Sequence, residues 1–149
     1  YDAVNDAQDL IDDTIDTDIQ GYDADPGVLR TARRNAEEAG VSHLIHFQQR
    51  EVKDLNHPKK YGFVITNPPY GERLEEKESL PRIYKEFGEA FRRLDGWSAY
   101  MITSYDDAER YFGRKADKNR KIYNGMIRTY FYQFSGPKPP RQKKTEVTK

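Results

Sequence analysis

Cysteine is absent from the 149 residues, which excludes a disulfide framework, thiolate metal sites and a thiol nucleophile. Histidine is nearly absent: His43, His46 and His57 are the only three, and none stands at a metal-ligand spacing with a carboxylate. No bound metal is expected. His43 and His46 flank an apolar pair on a strand-like stretch and read as surface residues. No run reaches the apolar length of a membrane span and no signal-peptide pattern is visible, so the expectation is a soluble cytoplasmic protein without a membrane partner. A glycine-rich G-x-G turn is missing too. Through Leu29 there is also no lysine or arginine, against nine aspartates (Asp2, Asp6, Asp9, Asp12, Asp13, Asp16, Asp18, Asp23 and Asp25).

The charges balance to zero over the whole chain but are unevenly distributed. From Arg114 onward eleven lysines or arginines face only Asp117 and Glu146. A basic C-terminal part that meets a polyanion is one reading, and two solvated charged surfaces are the other. The length fits one domain with a genuine core.

Apolar spacing predicts helix, strand, helix, strand, strand, helix, strand, helix and hairpin in that order. Val4, Ala7, Leu10, Ile11 and Ile15 recur at helical spacing, and a strand covers Asp18 to Tyr22. Asp25 reads as the N-cap of the next helix, with Pro26 as its first residue and Gly40 as its stop. Leu44 to Phe47 and Tyr61 to Thr66 are strands, the second nearly continuous in apolar residues, as in a parallel strand covered on both faces. A helix from Pro81 buries Ile83, Tyr84, Phe87, Ala90, Phe91 and Leu94; Trp97 to Thr103 is a strand and Asp106 to Phe112 a short helix. Asn124-Gly125 is a strong hairpin signal between Lys121–Tyr123 and Met126–Phe134. Alternating strands and helices imply a largely parallel sheet.

The most informative residues are Asn67-Pro68-Pro69-Tyr70, directly after the strand ending at Thr66. A residue before proline is pushed into an extended conformation. Pro68 and Pro69 fix their own φ angles and donate no N–H, which leaves their carbonyls for a ligand. The Asn67 amide oxygen and the Pro68 carbonyl could together accept both hydrogens of a nucleobase amino group, and Tyr70 offers a ring for stacking. A rigid proline turn capping a strand is the plainer alternative.

The longer string Asn67-Pro68-Pro69-Tyr70-Gly71-Glu72-Arg73-Leu74 resembles the fourth motif of S-adenosylmethionine-dependent methyltransferases acting on exocyclic amines. More narrowly it is similar to the bacterial enzymes that methylate guanine N2 in large-subunit ribosomal RNA, often preceded by a THUMP domain. The resemblance spans residues 17 to 135. It implies an α/β fold: a Rossmann-like class I methyltransferase sheet, mostly parallel with a C-terminal antiparallel hairpin, here without its first strand. Residues 1–136 then read as a partial catalytic domain and 137–149 as a basic tail without fixed structure. The glycine-rich turn and a THUMP-like region would lie upstream in a longer protein, and this piece alone would be inactive.

By the same resemblance S-adenosylmethionine is the cofactor and RNA the partner. Asp23, with Ala24 beside it, would meet the cofactor ribose; Glu51 and Val52 would meet the adenine; Asn67 would border the cofactor as well as the base. Glu51 departs from the aspartate common at its position. Asn67, Pro68 and Tyr70 would form the catalytic clamp, and Pro69, Tyr70, Gly71, Glu72 and Arg73 would contact substrate. Glu72 and Arg73 could instead be an ion pair fixing the loop, and Asp23 an extra capping carboxylate. Two other functions stay open: an adenine-N6 methyltransferase on DNA or RNA, and a non-catalytic domain that binds RNA through its basic tail.

Overall fold

The computed structural model describes residues 2–71 and 74–141. The chain divides into two compact units, Tyr1–Arg50 and Glu51–Lys149. In the first, α1 (Asp2–Asp9) precedes β1 (Ile19–Asp23), α2 (Pro26–Glu38), a 3-10 turn and β2 (Ile45–Gln49). β1 and β2 are parallel, in register from Ile19 opposite Ile45 to Asp23 opposite Gln49. The ends of α2 are set by local chemistry. Asp25 is extended, and its carboxylate accepts the Gly27 N–H at 2.6 Å, with Pro26 following where an N–H would have no partner. At the other end Gly40 takes φ +72°, Gly40 N–H donates to Glu37 and Val41 N–H to Ala36, so two terminal carbonyls are satisfied. Leu29 and Ala36 are the residues α2 buries.

The first helix is shorter than its apolar spacing predicts. It stops at Asp9 and buries nothing, leaving Leu10 82% exposed and Ile11 and Ile15 open as well. The Asp12 carboxylate accepts both the N–H and the hydroxyl of Thr14, a local turn that competes with helical hydrogen bonding.

The second unit contains β3 (Gly62–Thr66), α3 (Leu74–Lys77), α4 (Leu80–Arg93), β4 (Trp97–Thr103), α5 (Ala108–Phe112), β5 (Lys118–Asn124) and β6 (Ile127–Phe134). Its sheet runs β3-β4-β6-β5, with β3 and β4 parallel and the β4–β6 and β5–β6 pairs antiparallel. The apolar stripe of α4 (Leu80, Tyr84, Phe87, Phe91 and the following Leu94) packs with Ala99 and Met101 of β4 and Tyr132 and Phe134 of β6. Phe112 of α5 fills the centre, 4.2 Å from the Phe134 ring and 5.2 Å from Phe87.

Two expectations shift here. β3 is covered on one face only: Val64 packs on the core, whereas Phe63 and Ile65 are 70% and 79% exposed. Continuous apolarity does not say which of two alternating faces finds a cover, and the core cluster covers only the Val64 face. The hairpin turn is also displaced by one residue. Asn124 still pairs with Ile127, so Gly125 and Met126 form the turn, with positive φ at Gly125 alone, as a type II′ turn has.

Helix α4 touches α5 at Gly88, where an added Cβ would sit 2.0 Å from the Phe112 carbonyl oxygen. Backbone cannot yield as a side chain can, so Gly88→Ala is expected to lower stability by about 1–3 kcal/mol. A urea midpoint that does not fall in the variant would contradict this packing.

Candidate active site

β3 ends where Thr66 pairs with Met101, and residues 67–71 leave the sheet at its carboxyl edge. Asn67 and Pro69 are exposed, Pro68 and Tyr70 half-buried and Gly71 buried. The Tyr70 hydroxyl donates to Asn67 Oδ1. Gly71 has φ +82°, and a Cβ there would meet Leu80 Cδ1 at 2.7 Å, so the chain passes this point only as glycine. Glu72 and Arg73 lie outside the described residues.

One core residue holds this loop. Tyr84, fully buried on α4, donates its hydroxyl proton to the Pro69 carbonyl at 3.0 Å. Its oxygen also lies 2.5 Å from the hydroxyl of buried Thr103. A carbonyl can only accept and a phenol has one proton, so Thr103 must be the donor to Tyr84. Thr103 in turn accepts the Tyr105 N–H at 3.0 Å, and the Tyr105 ring lies 4.9 Å from that of Tyr84. The chain of bonds thus runs from the end of β4 through α4 to the proline loop. Burial pushes the Tyr84 phenol well above the ordinary tyrosine value, against the pull of the Thr103 hydrogen bond, which keeps it a donor at neutral pH.

Other expected site residues are placed as follows. Glu51 is exposed at the start of a 3-10 turn, Val52–Asp54, and its carboxylate meets the Lys53 ammonium at 2.7 Å. That hydrogen bond, with the lysine charge, holds the Glu51 carboxyl below the usual range. Val52 is half-buried against the core of the same unit. Asp23 and Ala24 belong to the other unit. Asp23 ends β1, half-buried, with Oδ1 accepting the Asp25 N–H at 2.8 Å, while the Ala24 carbonyl accepts from Gln49 Nε2 at 3.0 Å. Among the described residues no group of His, Asp and Glu is arranged to hold a metal ion. Tyr84 and Thr103 entered the sequence reading only as core positions. A tyrosine in the middle of a buried stripe was nevertheless a signal, because its hydroxyl must find a partner there.

Tyr84→Phe leaves the Thr103 donor and the Pro69 acceptor without this partner, at an expected cost of about 1–3 kcal/mol. Below about pH 10 folded and unfolded chains both keep their phenols protonated, and the full stability is present. Above it the unfolded chain ionises first, because the folded value is raised, so stability falls as pH rises. Urea midpoints measured from neutral to strongly alkaline pH should fall less steeply in Tyr84→Phe than in the parent; parallel curves would remove Tyr84 from this role.

The sequence and fold match known proteins closely. The model of the UPF0020 family, RMKL-like methyltransferase domain, matches residues 2–133. YpsC of Bacillus subtilis (strain 168), named as a candidate RNA methyltransferase, is 48% identical over 128 residues, which is 86% of this chain and 33% of that protein. The ribosomal RNA large subunit methyltransferase K/L of Cellvibrio japonicus is 38% identical over 123 residues, 79% of this chain and 16% of its own. This chain therefore spans a third or less of these relatives. Among solved structures, a methyltransferase complexed with SAH is 40% identical with a TM-score of 0.84, covering 91% of this chain and 36% of its own. A Listeria monocytogenes protein described as "a predicted N6-adenine-specific DNA methylase" is 42% identical with a TM-score of 0.81, covering 91% of this chain and 35% of its own. An α/β architecture with parallel and antiparallel pairs, and a match over nearly the whole described chain, make this protein a member of the RMKL-like methyltransferase domain family.

Proposed function

We propose that this chain is the base-clamping part of an S-adenosylmethionine-dependent methyltransferase that modifies the exocyclic N2 amine of a guanine in ribosomal RNA. The observation that carries it is the Asn67-Pro68-Pro69-Tyr70 loop at the carboxyl end of β3, followed in sequence by Gly71-Glu72-Arg73-Leu74. RNA as substrate is supported by the names of YpsC and the K/L enzyme, and the cofactor by the relative solved with SAH. The residues fit such a cofactor chemically. Asp23 is a half-buried carboxylate at a strand end, suited to a ribose diol. Val52 offers an apolar flank, and Glu51 a carboxylate acceptor beside Lys53.

When bound, the cofactor supplies an electrophilic methyl group on a sulfonium. The protein's part is to present the amine. Asn67 Oδ1 and the Pro68 carbonyl accept its two hydrogens, drawing the nitrogen towards tetrahedral geometry so that its lone pair localises. For this the Tyr70 hydroxyl must give up Asn67 Oδ1, and its ring then stacks on the base. Pro69, pinned by Tyr84, keeps the loop from following the base as it binds. Positioning and preorganised dipoles account for most of the acceleration, and the amine loses its proton to solvent after transfer.

An adenine-N6 enzyme would use the same clamp, and the name of the Listeria relative favours it. Incubating ribosomal RNA from cells lacking the whole protein with that protein, then identifying the methylated nucleoside by mass, separates the two. N2-methylguanosine is the expected product; N6-methyladenosine would transfer the assignment to the second reading.

Three substitutions in the whole protein test the roles. Asn67→Ala should lower single-turnover methyl transfer on the order of a hundredfold while both binding constants hold. Tyr70→Ala should weaken capture of the base by about 1–3 kcal/mol, whereas Tyr70→Phe keeps the ring, frees Asn67 and should retain full rate. Asp23→Ala should weaken cofactor binding roughly ten- to a hundredfold with RNA binding unchanged. An Asn67→Ala variant with the parent rate would leave the clamp without support.

A further inference from the structure

The β5–β6 hairpin extends past the edge of the sheet from which the Asn67–Tyr70 loop emerges. Thr103, the last residue of β4, pairs with Tyr130, and both hairpin strands continue beyond that level, through Ile127–Thr129 and Ile122–Asn124. At the usual rise of a strand this arm projects about 10 Å past the carboxyl end of β4. β3, parallel to β4, ends at the same edge two strands away, roughly 10 Å to the side.

The arm has an ordered surface. Cross-strand partners share a face, and on the face of buried Tyr132 the next two pairs are Lys121 opposite Tyr130 and Tyr123 opposite Arg128. Each pair is one ring and one cation, with the order reversed from one pair to the next. The Arg128 guanidinium lies 5.7 Å over the Tyr130 ring. Tyr123 is 65% exposed and Met126, at the tip, fully so. Lys118 and Arg120 point to the opposite face of β5, and no carboxylate occurs from Lys118 to Phe134. The scaffold is held by an unbroken ladder and by the Thr129 hydroxyl, which donates to the Ile122 carbonyl at 2.8 Å. Asp107, near the same edge at the head of α5, faces its own cation, Arg110, at 4.0 Å.

We propose that this face of the hairpin holds a single-stranded RNA segment flanking the target nucleotide. Lys121 and Arg128 neutralise phosphates, and Tyr123, with the open side of Tyr130, stacks bases. Alternating rings and cations suit a strand whose bases are unpaired, because a duplex keeps its base faces out of reach. This assignment rests on the RNA methyltransferase reading above and adds where the strand lies outside the clamp.

The test compares the whole parent protein with Tyr123→Ala, Tyr123→Phe and the double change Lys121→Gln with Arg128→Gln. Binding of a fluorescently labelled mixed-sequence RNA oligonucleotide is titrated over a range of salt, with DNA of the same sequence and duplex RNA alongside. Tyr123→Ala should weaken single-stranded RNA roughly tenfold, and Tyr123→Phe should not. The double change should reduce the slope of log K against log salt by roughly 0.7 per cation removed. In methyl transfer to ribosomal RNA, KM should rise while kcat and cofactor affinity hold, and circular dichroism should match the parent. Unchanged affinity and salt slope would overturn the proposal, as would equal losses on duplex RNA; comparable losses on the single-stranded DNA, whose phosphates and base faces offer the same contacts, accord with it. Should Asn67→Ala keep the parent rate while the hairpin variants lose RNA, only the clamp reading fails; should the parent protein bind no RNA, both fail.

Discussion

A single buried phenol joins the core of the second unit to the Asn67–Gly71 loop. Two successive prolines leave the loop no N–H groups at two positions, so those positions can be held only through their carbonyls. Such a hold needs a donor from elsewhere, and Tyr84 reaches the Pro69 carbonyl with one. The donor is itself fixed twice, by the Thr103 hydroxyl at the end of β4 and by its place in the α4 stripe. That stripe holds its position because Gly88 lets α4 meet α5 at backbone distance and because Phe112 wedges between Phe87 and Phe134. A change deep in the aromatic core therefore reaches an exposed asparagine through one hydrogen bond. The tips of Tyr70 and Asn67 meet in a hydrogen bond near the surface, a bond that a ligand can exchange for its own.

What was legible in the sequence was local. Asp25, Pro26 and Gly40 bound α2 because capping depends on residues within a turn of each helix end, and the structure repeats those bonds. Asn67-Pro68-Pro69-Tyr70 could be placed at a strand end for the same reason. The failures share a different physics. The spacing of Val4 to Ile15 is helical, yet an Asp12–Thr14 turn stands in its place, and among the described residues none buries Leu10, Ile11 or Ile15. Apolar continuity in β3 could not reveal that Phe63 and Ile65 stay open, since a covering layer is a tertiary fact. Tyr84 was legible as buried but not as partnered, because the acceptor comes from fifteen residues earlier in the chain and the donor from nineteen later.

The direction of the strands decides which groups can work together in this unit. β3 and β4 run in parallel, so both deliver their following residues, Asn67 to Gly71 and Tyr105, to one edge. β6 runs against β4, and that reversal brings the turn before it, with Tyr123 and Arg128 beside it, to the same edge. A parallel β6 would have carried its preceding turn to the opposite edge. One antiparallel strand in an otherwise parallel arrangement thus returns a cationic, carboxylate-free stretch to the side from which the Asn67–Tyr70 loop emerges. Rigidity is divided accordingly. The hairpin is fixed by its ladder and the loop by Tyr84, while the Asn67 amide is exposed, the Tyr70 hydroxyl bonds to it, and the Tyr123 ring stands in solvent. A nucleic-acid strand could therefore be held at two separate points, on the loop after β3 and on the hairpin two or three strands away, by side chains carried on hydrogen-bonded backbones.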